Sequence, residues 1–393
     1  MVDRAYLDWN ATAPLCAEAR TAVATALDVI GNPSSVHGEG RMARHLVEQA
    51  REQVAGLVGA EPRNVIFTSG GTEANVLVLT PSIDVAGEKT PFARLLMSAI
   101  EHPSVRSGHR FRASEVEELP VTADGIVDLA ALRSRIAVLN EQGERRLLVS
   151  IMHANNETGV VQPIAAAARI VHDAGGLLHV DAVQSSGRIP CDINALEADF
   201  LTLSGHKLGA PKGVGALVKR SEALHLLDPL IKGGGQERGS RAGTENVIGI
   251  IGFGAAAAAA SQTGAKVMER VKELRDELET GLRAISPGAV IFGANVERVP
   301  NTSLFAVPGA KAETALIALD LAGIAVSSGA ACSSGKVSAS PVLAAMGVPT
   351  ALALGAIRVS LGPATSEGEV DLFLKAWTKL VMGLSKGRRG LAA

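Results

Sequence analysis

Short runs of aliphatic residues recur through the first two-thirds of the chain, each followed by a stretch of helical character. The runs are Asn64–Ser69, Leu95–Ala99, Leu147–Met152, Leu177–Asp181 and Phe200–Ser204, and the stretches between them include Arg41–Val58 and Ile164–Ala174. Strands that are apolar on both faces must be covered on both faces, and alternation with helices supplies that cover. The pattern therefore predicts an α/β fold, a mostly parallel sheet between helical layers. Ligands of such sheets gather at the carboxyl ends of the strands. The residues just after each run are where chemistry is expected.

Beyond the last run the pattern changes. Residues 233–243 are glycine-rich and read as a loop, and 246–285 reads as one long helix ended by Ser286, Pro287 and Gly288. A boundary to a smaller C-terminal domain is expected near residue 260. Aromatic residues make up only 3% of the 393, so Ala, Val, Leu and Ile must do most of the packing. Lys and Arg number 38 against 40 Asp and Glu, a formal charge of -2. That balance speaks against nucleic-acid binding, which needs a basic surface to displace counterions, yet it leaves room for a local anion site. Three cysteines, Cys16, Cys191 and Cys332, are too few for a disulfide framework and suit a reducing compartment. The first residues have no apolar signal-like core, and the uncharged stretches 246–265 and 337–357 are broken up by Gly, Ser and Pro. A cytoplasmic protein with no membrane span is expected.

The polar residues that follow the runs are chemically distinctive. Lys207, in Ser-Gly-His-Lys after the Phe200–Ser204 run, is placed where a partly desolvated amine could form a Schiff base; alone, it could equally be a surface lysine. Asp181 closes the Leu177–Asp181 run with Gln184 three residues on. A carboxylate there could pair with a pyridine nitrogen, or it could cap a helix. Residues Thr68–Asn75, Thr-Ser-Gly-Gly-Thr-Glu-Ala-Asn, bring small residues to a helix start, which suits a phosphate or merely a tight turn. The Walker A ending is absent there, so a nucleoside triphosphate is a poor fit. His102 in Glu-His-Pro-Ser could stack on a planar ring and move protons, and Asn155, Asn156 and Glu157 follow the Leu147–Met152 run. Arg358 sits inside an apolar run and needs an anion, either a substrate carboxylate or an internal partner. Cys332 lies among small residues in Ser327–Gly335, the setting of an accessible, reactive thiol, whereas Cys16 and Cys191 read as packing residues. No Cys or His spacing suggests a metal site.

Together these segments resemble the cysteine desulfurases of the NifS/IscS type, within the class V aminotransferase-like, fold-type I pyridoxal phosphate enzymes. The resemblance runs nearly end to end. It is carried by Tyr6–Asp8, Asn32–His37, Thr68–Glu73, Glu101–Ser104, His153–Gly159, His179–Ser185, Ser204–Lys207, Gly233–Asn246 and the Cys332 segment, in family order.

The resemblance implies a large domain, residues 16–259, with a mostly parallel seven-stranded sheet. It also implies a small α+β C-terminal domain, 260–393, bearing Cys332, with residues 1–15 packed on it. The implied cofactor is pyridoxal 5'-phosphate. Lys207 would hold it covalently, Asp181 would pair with its ring nitrogen, and His102 would stack on the ring and help move protons. Gly71, Thr72, Ser204 and His206 would bind its phosphate, with Thr244 reaching across from the second subunit of a homodimer. Asn156 and Gln184 would contact ring substituents, and Arg358 would bind the carboxylate of L-cysteine. Cys332 would take the sulfur as a persulfide, leaving alanine, and pass it to an acceptor or iron–sulfur scaffold protein. A selenocysteine lyase, another β-eliminating relative, and a partner-activated sulfur-transfer scaffold are the alternatives.

Overall fold

The computed structural model describes residues 4–329 and 339–390. A seven-stranded sheet runs in the order Val65–Thr68, Gly215–Lys219, Phe200–Ser204, Leu177–Asp181, Leu147–Ser150, Arg94–Ser98, Val116–Leu119. Neighbours are parallel throughout except for Gly215–Lys219, which is antiparallel to both of its neighbours. All five aliphatic runs are strands of this sheet. Two members carry weaker signals. Val116–Leu119 reads Val-Glu-Glu-Leu because it is an edge strand, where Glu117 and Glu118 meet Arg135 and Arg106 instead of a further strand. Gly215–Lys219 opens on a glycine close against the backbone of Gly70.

Both faces of the sheet are covered, as strands buried on two sides require. One face packs Phe67, Leu96, Val149, Val180 and Leu203 under Gly38–Leu57 and other helices. The other packs Leu95, Leu148, Phe200 and Leu217 under the short helix Gly71–Val78.

A four-stranded antiparallel sheet lies apart from the first, in the order Val290–Ile291, Thr302–Ala306, Ile357–Ser360, Ser327–Ser328. Three of the chain's few aromatic residues meet behind it. Phe305 sets its edge against Trp377 at 5.2 Å between centroids, and Trp377 stacks on Phe373. The buried indole donates to Ser286 Oγ at 3.1 Å, so its polar end is not wasted in the core.

Two elements bridge these layers. Helix Val247–Ile285 packs on Gly38–Leu57 at one end and on the C-terminal helix Glu367–Gly390 at the other, and it bends by 76° between Gln262 and Gly264. The N-terminal segment pairs Ala5–Tyr6 with Ile324–Ala325, bonds Trp9 N to the Ser360 carbonyl, then reaches the large sheet where Ala13 N meets the His206 carbonyl. Gly362 is needed for that crossing, since a Cβ there would fall 2.0 Å from the Trp9 ring. Among the described residues no single helix is long and apolar enough to cross a membrane.

Candidate active site

The carboxyl ends of the parallel strands open onto a cavity of about 680 Å³. Its wall brings together Lys207, Asp181, His102, Gly71, Thr72, Ser204, His206, Asn156, Gln184 and Arg358, from segments spread over most of the chain. Thr244 is not part of this wall; it is exposed, on the loop that follows Arg241. Cys332 lies outside the described residues.

Asp181 ends its strand with both oxygens engaged: Oδ1 accepts from Val183 N at 3.0 Å and Oδ2 from Asn75 Nδ2 at 2.8 Å. Asn75 also donates to Ser104 Oγ at 2.9 Å, and that hydroxyl lies 2.8 Å from His102 Nδ1. The Ser104 backbone N–H donates to the same ring nitrogen at 3.1 Å. With its Nδ1 lone pair used in this way, a neutral His102 carries its proton on Nε2. Burial lowers the His102 pKa and Lys207 adds to that, while Asp181 opposes both, so the ring is neutral near pH 7. Next to it Glu101 is fully buried, and burial together with the Asp181 charge holds its carboxyl well above the ordinary range.

Lys207 sits on the short turn Gly205–Lys207 that follows its strand, and Nζ donates to the carbonyls of Asn10 and Ala11 at 2.5 and 2.8 Å. Burial and the lysine charges of Lys207 and Lys212 lower the His206 pKa to about 4, and its Nδ1 is 3.1 Å from Thr12 Oγ1. Gly70 and Gly71 open the helix Gly71–Val78, where the first amide groups have no intrahelical acceptor. A Cβ on Gly71 would meet Val183 Cγ2 at 2.9 Å, so that position has no room for a side chain.

Arg358, only 3% exposed, donates to Asp8 Oδ1 at 2.8 Å and to the Asn156 carbonyl at 2.9 Å, while its Nε is buried without a partner. Gln184 is tied at both ends, to the Asn10 carbonyl at 3.1 Å and to Arg188 Nη1 at 2.5 Å. Asn10, Thr12, Asn75, Ser104 and Lys212 also line the cavity and escaped the sequence reading. Of the remaining cysteines, Cys191 is buried, and burial pushes its thiol up to about 12. Cys16 caps the helix Ala17–Ala26 through its sulfur.

The donor set suits pyridoxal phosphate: one lysine amine, one carboxylate held by two N–H donors, a ring nearby, and a glycine-opened helix start for a phosphate. Among the described residues, the buried side-chain atoms of this wall without a hydrogen-bond partner are Arg358 Nε and Asn75 Oδ1, which add polar capacity.

Residues 5–373 match the family model described as "Aminotransferase class-V". The chain is 43% identical to a cysteine desulfurase of Cereibacter sphaeroides, covering 97% of this chain and 96% of that protein. It is 40% identical to one of Sinorhizobium fredii, covering 98% of each. The fold is similar to that of a NifS-like protein from Rickettsia africae, with a TM-score of 0.87 and 36% identity over 96% of this chain and 99% of that one. Matches of this extent make the chain a member of the class-V aminotransferase family, among its cysteine desulfurases of the NifS/IscS type.

Proposed function

We propose that the protein is a pyridoxal-phosphate-dependent enzyme that converts L-cysteine to L-alanine and delivers the sulfur, as a persulfide on Cys332, to an acceptor protein of iron–sulfur cluster or thio-cofactor synthesis. The observation that carries this reading is a single cavity lined by Lys207, Asp181, His102 and Arg358. An exposed Thr244 on a loop beside that cavity supports a homodimer in which the loop completes the neighbour's site. The sparse cysteines support a cytoplasmic setting. The bend after Gln262 supports a division into a large unit before residue 260 and a small one after it.

In this reading Lys207 would bind the cofactor, Asp181 would pair with its ring nitrogen, His102 would stack on the ring, and Gly71, Thr72, Ser204 and His206 would hold its phosphate. Asn156 and Gln184 border the ring substituents. When bound, the cofactor supplies an electron sink for the charge that develops at the substrate α-carbon. Arg358 orients the substrate through its carboxylate, which fixes the α-carbon relative to the lysine amine. The Lys207 amine would take the substrate α-proton. His102, neutral with its proton on Nε2, would donate that proton toward the substrate sulfur. Cys332 Sγ attacks that sulfur; the S–S bond forms as the C–S bond breaks, and the electron pair passes to the carbon skeleton, which is protonated to alanine.

The test is sulfide and alanine release from L-cysteine with a thiol reductant. Cys332→Ala should keep the yellow colour of the enzyme and lose sulfide release. Full activity in that variant would overturn the persulfide step in favour of direct β-elimination, as in a selenocysteine lyase.

A further inference from the structure

The turn after the Leu147–Ser150 strand does two jobs at once. Asn155 Oδ1 accepts from the Glu157 and Thr158 amides, both at 2.9 Å, and Gly159 closes the turn at a φ of 77°. A Cβ on Gly159 would also fall 2.9 Å from Thr302 Cβ, so both conformation and space require glycine. On the backbone side the Asn156 carbonyl accepts from Arg358 Nη1 at 2.9 Å and from Asn10 Nδ2 at 3.2 Å. On the side-chain side Glu157, 5% exposed, accepts from Ser340 Oγ at 2.5 Å. Ser340 in turn caps the helix Pro341–Ala345 by accepting from Leu343 N at 3.0 Å. A Cβ on Gly329 would come 3.0 Å from the same Glu157 oxygen, so the backbone there passes against the carboxylate.

Gly329 and Ser340 stand on either side of residues 330–338, which include Cys332. The two sides are anchored differently. Ser327 and Ser328 pair with Arg358 and Ile357 in the sheet, and Ser327 Oγ also donates to Asp8 Oδ2 at 2.8 Å. Ser340 belongs to no strand, and its hydroxyl is joined to the rest of the site through Glu157. The three-residue turn Asn155–Glu157 thus grips both the arginine expected to hold the substrate and the far foot of the segment expected to deliver the nucleophile.

We propose that Glu157 is a positioning residue that sets the distance between Arg358 and the Ser340 foot of the Cys332 segment, and so the reach of the thiol to the substrate sulfur. The inference rests on the persulfide reading above. A buried carboxylate is costly to keep, and the Ser340 hydroxyl bond together with the favourable charge of Arg358 offsets part of that cost. Burial raises the Glu157 pKa to about 7 against the pull of Ser340 and Arg358, in keeping with a group held by its contacts and not by water.

The experiment compares wild type, Glu157→Ala, Glu157→Gln, Ser340→Ala and the Glu157→Ala/Ser340→Ala pair, with Cys332→Ala as reference. Steady-state desulfuration is measured with cofactor, and alkylation of Cys332 by iodoacetamide is followed by peptide mass spectrometry in protein stripped of cofactor. Glu157→Ala is expected to lower kcat at least tenfold, with KM for L-cysteine and the cofactor absorbance within twofold of wild type. Its Cys332 alkylation rate should change at least threefold. Ser340→Ala should reproduce both effects, the pair should be no worse than either alone because they share one contact, and Glu157→Gln should recover most of the loss. Unchanged kcat and alkylation in Glu157→Ala and Ser340→Ala, with Cys332→Ala inactive, would overturn the positioning role and leave the persulfide reading intact. So would a parallel loss of cofactor absorbance and rise in KM, which would mark a general structural role. An active Cys332→Ala would instead sink the persulfide reading itself, whatever Glu157 does.

Discussion

Arg358, buried in the wall of the cavity where a substrate carboxylate is expected, forms an ion pair with the half-buried Asp8, Nη2 to Oδ1 at 2.8 Å. The guanidinium is neutralised before any substrate arrives. That makes it affordable in the core, since an isolated buried charge is strongly destabilising. It also means that an incoming carboxylate competes with Asp8 for the same cation. Asp8→Asn keeps a hydrogen-bond acceptor and removes the competing charge. KM for L-cysteine should fall about fivefold, equivalent to about 1 kcal/mol, while the melting temperature drops by several degrees. Arg358→Gln should raise KM at least tenfold. Steady-state kinetics with thermal melts of both variants check this, and a higher KM in Asp8→Asn would show that Asp8 aims the guanidinium more than it screens it.

The loop that carries Thr244 hangs on a buried ion pair. Glu237 receives Arg51 in a two-pronged contact, Nη1 at 2.7 Å and Nη2 at 2.9 Å, and also accepts from Phe67 N at 2.9 Å. Glu237 and Arg238 adopt left-handed backbone, φ 45° and 56°, a strained conformation that these contacts hold in place. Glu237→Ala should cost about 3–5 kcal/mol, the usual price of orphaning a buried partner. It should also weaken pyridoxal phosphate binding if the Thr244 loop helps hold the phosphate. Arg51→Leu combined with Glu237→Leu should be more stable than Glu237→Ala alone. Urea titrations and cofactor titrations by absorbance separate the two effects.

The contrast between Asp181 and Asn10 shows what could be read before folding. Asp181 announces itself: an acid at the end of Leu-Leu-His-Val-Asp has no apolar reason to be there, and the βα pattern says that strand ends face the ligand. Lys207, His102 and Arg358 stand out for the same reason, a chemically costly residue at a strand end or inside an apolar run. Asn10 gives no such sign. Its importance lies in contacts with Gln184, Arg188, Asn301, Thr302 and Ser360, all more than 170 residues away in sequence. Asp8 and Asn75 are hidden in the same way, since each works through partners that only the folded topology supplies. The Val116–Leu119 strand was hidden for a different reason, because an edge needs charge where a central strand needs aliphatics.

Asn75 links His102 to Asp181 through Ser104, so its loss should act on both. Asn75→Ala removes one of the two donors to Asp181 and frees the Ser104 hydroxyl from its other partner. With one donor gone, the Asp181 carboxylate should be held less firmly at the cavity wall. The expected result is a fall in kcat of about tenfold with a visible-spectrum titration displaced from wild type. Asn75→Asp, which puts a second acid beside Asp181, should be worse. A spectrum and kcat unchanged in Asn75→Ala would show that Val183 N alone suffices to hold Asp181.

Two buried groups should give opposite slopes to stability against pH. His179 lies at the centre of the large sheet between Ser150 Oγ at 2.9 Å and Thr202 Oγ1 at 3.0 Å, and burial lowers its pKa from 6.5 to about 3. Between those values the unfolded chain takes up a proton that the folded chain refuses. The stability that the neutral ring contributes is therefore complete above pH 6.5 and is lost as the pH falls through the window. From pH 7 to pH 5 the loss is about 2 kcal/mol. Glu157 behaves in reverse, because its pKa rises from 4.5 to about 7 on folding. Its protonated form is favoured in the folded state, so its contribution is complete below pH 4.5 and is lost as the pH rises through 7. Urea denaturation at pH 7 and pH 5 distinguishes the two. The drop in stability on going to pH 5 should be about 2 kcal/mol smaller in His179→Gln than in wild type and about 2 kcal/mol larger in Glu157→Gln. Equal drops in all three proteins would mean that neither group changes its proton affinity on folding.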